Sequence, residues 1–121
     1  LIETVFADRS GNPTPIKYGN MVSKTNIIPE RYAMHPNYPN PFNPLTNIRY
    51  DIPKSSNVRI DIFNILGHKI KSLVNTTKMA GNHNVQWSGK NEQNKNLPSG
   101  LYIVRFNAGG ISSQQKIMLL K

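Results

Sequence analysis

The stretch Val58-Arg59-Ile60-Asp61-Ile62-Phe63-Asn64-Ile65-Leu66-Gly67 decides the fold class. Val58, Ile60 and Ile62 alternate with Arg59 and Asp61, and successive side chains of a strand point to opposite faces. One face of this segment therefore belongs to a core and the other to water, with Asp61 on the wet side. The phase breaks at Phe63, which predicts a bulge or the end of pairing. Asn64 and Gly67 then occupy the first and fourth positions of a turn, as a type I turn prefers. The expected unit is a hairpin of strands at 58–63 and 68–74, the second carrying Ile70 and Leu73.

Outward from this hairpin the period of two recurs. Ile48, Tyr50 and Ile52 alternate with Asn47, Arg49 and Asp51. Further strands are expected near 82–88 with Val85 and Trp87, near 100–107 with Tyr102, Val104 and Phe106, and near 112–120 with Ile117 and Leu119. Leu101 and Ile103 make the 100–107 run apolar on both faces, as suits a central or covered strand. A seventh strand is expected within 36–46 or 74–81. No stretch keeps a helical period over three turns. Short strands at this spacing predict an all-β fold, a two-sheet antiparallel sandwich of about seven strands. Trp87 is the expected centre of its core, where such a ring contributes on the order of 3 kcal/mol.

The punctuation agrees. Sixteen Asn, nine Pro and eight Gly favour turns over strand and helix interiors. Residues 88–99 form a polar loop, and Ala108-Gly109-Gly110 a tight turn before the last strand. Pro36-Asn37-Tyr38-Pro39-Asn40-Pro41-Phe42-Asn43-Pro44 holds four prolines, each fixing φ and biasing its predecessor to extended geometry. A stiff extended lead-in is expected there, with Tyr38 and Phe42 as aromatic anchors. Ahead of it, residues 14–35 show no sustained period, and residues 1–35 read as a linker or the tail of an upstream domain. Leu1–Ala7 has the alternation of one short strand, either the end of that domain or a strand donated to a partner's sheet edge. The sandwich is expected over 36–121. The chain opens on Leu1 rather than Met and has no basic-then-apolar leader, which reads as a piece or processed product of a longer precursor.

With 121 residues there is room for one ordinary domain. The absence of Cys excludes disulfides, thiolate metal sites and cysteine nucleophiles. No apolar run is long enough to span a bilayer as a helix. Within 36–121 the carboxylates are Asp51, Asp61 and Glu92, and no spacing brings two together for acid–base work. His68 and His83 lack acidic neighbours in sequence and read as surface residues. There is no His-x-His pair and no acidic calcium loop. A Lys–Asn crosslink has no evident buried carboxylate to support it. The chain therefore calls for no cofactor, no metal and no catalysis. The formal charge of +9 invites a nucleic acid. Yet the basic residues are dispersed, no helix is available for a major groove, and no aromatic strand motif is present for stacking bases. A basic exterior that favours anionic surfaces fits better.

The turn, the prolines and the last strand together resemble a known family. Asn37-Tyr38-Pro39-Asn40-Pro41-Phe42-Asn43-Pro44 followed by Thr46-Asn47-Ile48-Arg49-Tyr50-Asp51-Ile52-Pro53 is similar to the opening of the C-terminal sorting domain of type 9 secretion substrates. The likeness continues through Val58–Gly67, Ala80-Gly81-Asn82-His83, Val85-Gln86-Trp87-Ser88-Gly89 and Pro98-Ser99-Gly100-Leu101-Tyr102, to Lys116-Ile117-Met118-Leu119-Leu120-Lys121. A related domain occurs in the flagellar hook-capping protein.

The resemblance implies an immunoglobulin-like sandwich and a secretion address on a larger precursor. Such a precursor passes through the periplasm. Its sorting domain is then recognised by an outer-membrane translocon and a shuttle barrel, which bring the upstream cargo to the cell surface or the extracellular space. In many members a surface sortase removes the domain and joins the cargo to anionic lipopolysaccharide. By the same resemblance the motif positions are Pro39, Asn40, Pro41, Gly67, Gly100, Tyr102 and the strand Lys116, Ile117, Met118, Leu119, Leu120 and Lys121. Each has a structural alternative: the prolines set the angle of the lead-in, the glycines serve turns, and Tyr102 fills the core. The terminal strand is the favoured recognition element, because a strand at a sheet edge can pair with a partner. The alternative function is a retained sandwich that mediates assembly of an extracellular filament or surface complex.

Overall fold

The computed structural model describes residues 28–121; Leu1–Ala7 lies outside the described residues. Seven strands follow in order: β1 (Ala33–Met34), β2 (Thr46–Ile52), β3 (Ser56–Phe63), β4 (Lys69–Lys78), β5 (Gly81–Trp87), β6 (Gly100–Ala108) and β7 (Ile111–Leu119). All ladders are antiparallel, in a three-stranded sheet β1-β2-β5 and a four-stranded sheet β4-β3-β6-β7. The fold is thus the expected immunoglobulin-like sandwich. The chain changes sheet at 53–55, at Met79-Ala80 and through the loop 88–99, so the β4–β5 neighbours in sequence belong to different sheets.

The alternation in the sequence becomes the core. Ile48, Tyr50 and Ile52 of β2 face Val58, Ile60 and Ile62 of β3, Val104 and Phe106 of β6, and Ile117 and Leu119 of β7, all fully or nearly fully buried. β6 is central in its sheet, between β3 and β7, while Leu101 on its outer face stays exposed. On its outer face Ile103 pairs with Phe63, and the Arg105 guanidinium lies 4.5 Å from the centre of the Phe63 ring.

Three features depart from the expectations. The seventh strand is β1, ahead of 36, where Ala33 and Met34 pair with Asp51 and Tyr50; within 36–46 only Tyr38 and Phe42 form isolated bridges. The phase break at Phe63 is a register shift whose extra residue lies on β4. A second shift between Ile60 and Asp61 leaves Leu73 unmatched, so β4 has no constant period although it runs through Lys78. Asp61 does point to the outer face, but it is only 3% exposed, because the Arg59 side chain lies over it with Nε 2.8 Å from Oδ2. Long cationic side chains cover neighbours in this way while keeping their heads in water.

The registers also fix which residues share an end. Phe63 pairs with Ile103, Gly100 with Leu119 and Thr46 with Trp87, so the β3–β4 turn, the loop 88–99, the proline segment and the chain terminus lie at one end. At the other end Tyr32 donates or accepts a 2.8 Å hydrogen bond with Ser56 and closes against Gly109. Tyr32, just ahead of β1, therefore lies opposite the motif-bearing end.

Candidate functional site

At the motif-bearing end the proline segment and the last strand are bound to each other. Phe42 lies in the core at 5.5 Å from the Trp87 ring, and Trp87 meets the edge of Tyr102 at 5.5 Å. With Phe42 held there, its N–H donates to the Met118 carbonyl at 2.9 Å and its carbonyl accepts from Leu120 N–H at 2.9 Å. Asn40 Oδ1 accepts from Met118 N–H at 3.0 Å. The segment thus forms a parallel bridge at Leu119 and caps the outer edge of β7 over Met118–Leu120. Lys121 N–H donates to Ser99 Oγ at 3.0 Å, which ties down the terminus.

The lead-in is set by Asn37 and Thr46 rather than by two aromatic anchors. Asn37 is buried, and its Nδ2 donates to Thr46 Oγ1 at 2.9 Å and to the Pro39 carbonyl at 3.2 Å. Thr46 Oγ1 donates to the same carbonyl at 2.9 Å. Turning Asn37 inward turns Tyr38 out, and its ring is 77% exposed. Phe42 is the anchor; Tyr38 is not.

The remaining motif positions divide by role. Gly67 closes the turn after β3 with φ 87°, and its N–H donates to the Asn64 carbonyl at 3.0 Å. Asn64 Oδ1 accepts from Leu66 and His68 N–H at 3.0 Å each, so the turn is organised from its first residue, as Asn does in turns. Gly100 opens β6 at φ 153°, a conformation side chains disfavour. Tyr102 is buried, and its hydroxyl donates to the Pro98 carbonyl at 2.7 Å, pinning the end of the loop. Burial raises the Tyr102 hydroxyl above its ordinary pKa, and does the same to Tyr50.

In the terminal strand Ile117 and Leu119 are core, while Lys116, Leu120 and Lys121 are exposed and Met118 is half-buried. Pro39, Asn40 and Pro41 are exposed at their surface. Hence the structure joins the proline segment to the terminal strand directly, through Asn40 at Met118 and Phe42 at Met118 and Leu120. Gly100 and Tyr102 hold the same strand from its other side, as the β6 partners of Leu119 and Ile117, while Gly67 lies at the same end in the β3–β4 turn. Sequence reasoning passed over Asn37, Thr46 and Ser99, whose signal is nonlocal hydrogen bonding. It also passed over Ile65 and Leu66, whose signal was visible: two aliphatics inside a tight turn.

Both outer strands of the larger sheet are partly covered. Glu92 N–H donates to the Ile70 carbonyl at 3.2 Å, and Ser72 N–H donates to Glu92 Oε2 at 3.0 Å, so the loop 88–99 covers part of β4. On β7, Met118 directs its N–H and carbonyl away from β6. Alternation in an antiparallel ladder gives Ser112, Gln114 and Lys116 the same orientation. Among the described residues these three have no backbone partner on that side. No group of three or more His, Asp or Glu able to hold a metal occurs among the described residues.

Among solved structures the fold is similar to part of dimeric latent PorU from Porphyromonas gingivalis, at 16% identity and a TM-score of 0.60. The match covers 78% of this chain and 10% of that one, so the chain spans about a tenth of PorU. PorZ of the same organism, an essential bacterial surface component of the type-IX secretion system, aligns at 14% identity and a TM-score of 0.49, over 74% of this chain and 11% of that one. No curated protein matches the chain. The family model for the secretion system C-terminal sorting domain matches residues 37–120, from the buried Asn37 to the last residue of the seam, and the chain belongs to that family.

Proposed function

We propose that the chain is the non-catalytic sorting address of a larger precursor, read at its motif-bearing end by the outer-membrane translocon and shuttle barrel of a type 9 system. Residues 1–35 then serve as the linker to an upstream cargo, and the folded address as the part that is recognised. The cargo reaches the cell surface or the extracellular space after passing the periplasm. Where a surface sortase acts, it cuts ahead of Tyr32, since the chain is packed from there on. The observation that carries this reading is the seam. The two most separated motif segments meet there, Asn40 at Met118 and Phe42 at Met118 and Leu120, on a domain whose family is a secretion tail.

The exposed side chains of that surface are the ones to test. Deleting Lys116–Lys121 would also remove the buried Ile117 and Leu119 and confound recognition with folding. A triple variant, Lys116→Glu, Leu120→Ser and Lys121→Glu, leaves the core intact. Fused behind a signal peptide and reporter in a type 9-competent host, it should retain the reporter inside the cell while its melting stays near that of the parent. Secretion at the parental level would remove the terminal strand from the recognised surface.

The stretch of β7 at Ser112–Lys116, which no described backbone pairs, supports a second reading, a retained module that assembles by strand addition. Intact mass of the native mature protein separates the two, because an assembly module keeps residues 36–121 and a cleaved sorting domain loses them.

A further inference from the structure

Ile65 and Leu66 occupy the middle of the β3–β4 turn at 71% and 76% exposure. Turn centres normally hold polar residues, Gly or Pro, and Asn64 already supplies the geometry through its side-chain bonds. Folding therefore gives no reason for two aliphatics there. They are also not alone. Of the exposed large hydrophobics, Tyr38, Leu45, Ile65, Leu66, Leu101 and Leu120 all lie at the motif-bearing end, whereas Ile28, Met79 and Ile111 lie elsewhere. Apolar side chains gathered at one end of a small domain mark a contact surface.

The charges around them choose its partner. Lys69 follows the turn and pairs with Phe63, Lys90 and Lys95 lie in the loop 88–99, and Lys121 follows β7. Among the described side chains Glu92 is the carboxylate at this end, and it is held by Ser72 N–H and lies 3.8 Å from Lys71 Nζ. Asp61 is covered by Arg59, and Asp51 sits towards the opposite end, beside His35 and Asn82. The tip is thus apolar at its centre and cationic at its rim. A second copy of the chain would set like charge against like. A surface of anionic headgroups over hydrocarbon satisfies both parts at once.

We propose that this end of the sandwich docks on an anionic bilayer surface, with the Ile65–Leu66 turn inserted and Lys69 and Lys121 among the headgroup phosphates. This docking goes beyond the sorting role and does not depend on it.

The test uses the purified chain and phosphatidylcholine vesicles with and without phosphatidylglycerol, read by co-sedimentation at low and high salt. The chain should partition about tenfold more strongly onto the anionic vesicles, with the gain lost in high salt. Ile65→Ser/Leu66→Ser should weaken that partitioning about tenfold, and Lys69→Gln/Lys121→Gln should weaken it similarly; all four side chains are exposed, so melting should not change. No binding to anionic vesicles overturns the proposal. So does binding indifferent to the Ile65→Ser/Leu66→Ser change, which would assign it to general charge. If vesicles are ignored while that change abolishes reporter secretion, the tip belongs to a protein surface and the bilayer proposal fails.

Discussion

The Tyr102 hydroxyl donates to Pro98 from a ring packed on Trp87, so two substitutions separate a polar from an apolar contribution. Tyr102→Phe keeps the ring and should cost about 1–2 kcal/mol in urea denaturation. Tyr102→Ala removes both and should cost about 3–5 kcal/mol. The same burial sets the alkaline limit of stability. The folded chain holds the Tyr50 and Tyr102 protons more tightly than the unfolded chain, whose tyrosines titrate near about 10. That contribution is complete below about pH 10 and is lost as pH rises through the higher folded-state values. Urea midpoints of the parent should therefore fall on the alkaline side, and those of Tyr50→Phe/Tyr102→Phe should fall less. At this scale the sequence was legible where a residue's neighbours are its neighbours in the chain. Trp87 and Tyr102 were found in that way. Tyr38 is decided by a partner remote in sequence, since Thr46 draws Asn37 inward. Asp61 has its partner two residues away on the same face, and it is the fold of the Arg59 side chain over the carboxylate that alternation alone does not show.

On β7, alternate backbone groups belong to β6 and to the outer side, and proline can read that alternation. Gln114→Pro deletes an N–H that points away from β6, so its cost should stay within about 1 kcal/mol. Ser113→Pro deletes an N–H inside the ladder opposite Phe106 and should cost about 2 kcal/mol or more. Thermal melts of the pair check the orientation directly, and equal losses would contradict it. The sequence announced β2, β3, β5, β6 and β7, whose apolar residues recur at every second position over at least part of each strand. β4 hid its length because two register shifts pass successive residues from one face to the other. β1 hid altogether, since Ala33 and Met34 are strand only through their pairing with Tyr50 and Asp51.

For the whole molecule, periodicity indicated two sheets but not which strands share one. It gave the motif residues as a series without placing them. Register supplies the place, one end of the sandwich opposite Tyr32. The secretion and vesicle experiments examine the same end by different readouts, one through Lys116, Leu120 and Lys121 and the other chiefly through Ile65 and Leu66. The seam between Phe42 and Leu119 has a consequence for timing. Its two sides stand 78 positions apart at the Asn40–Met118 bond, so the surface they share exists only once the strands between them have folded. On the proposed reading, the export machinery would then engage folded chains and pass over unfolded ones, a form of proofreading that requires no separate inspector.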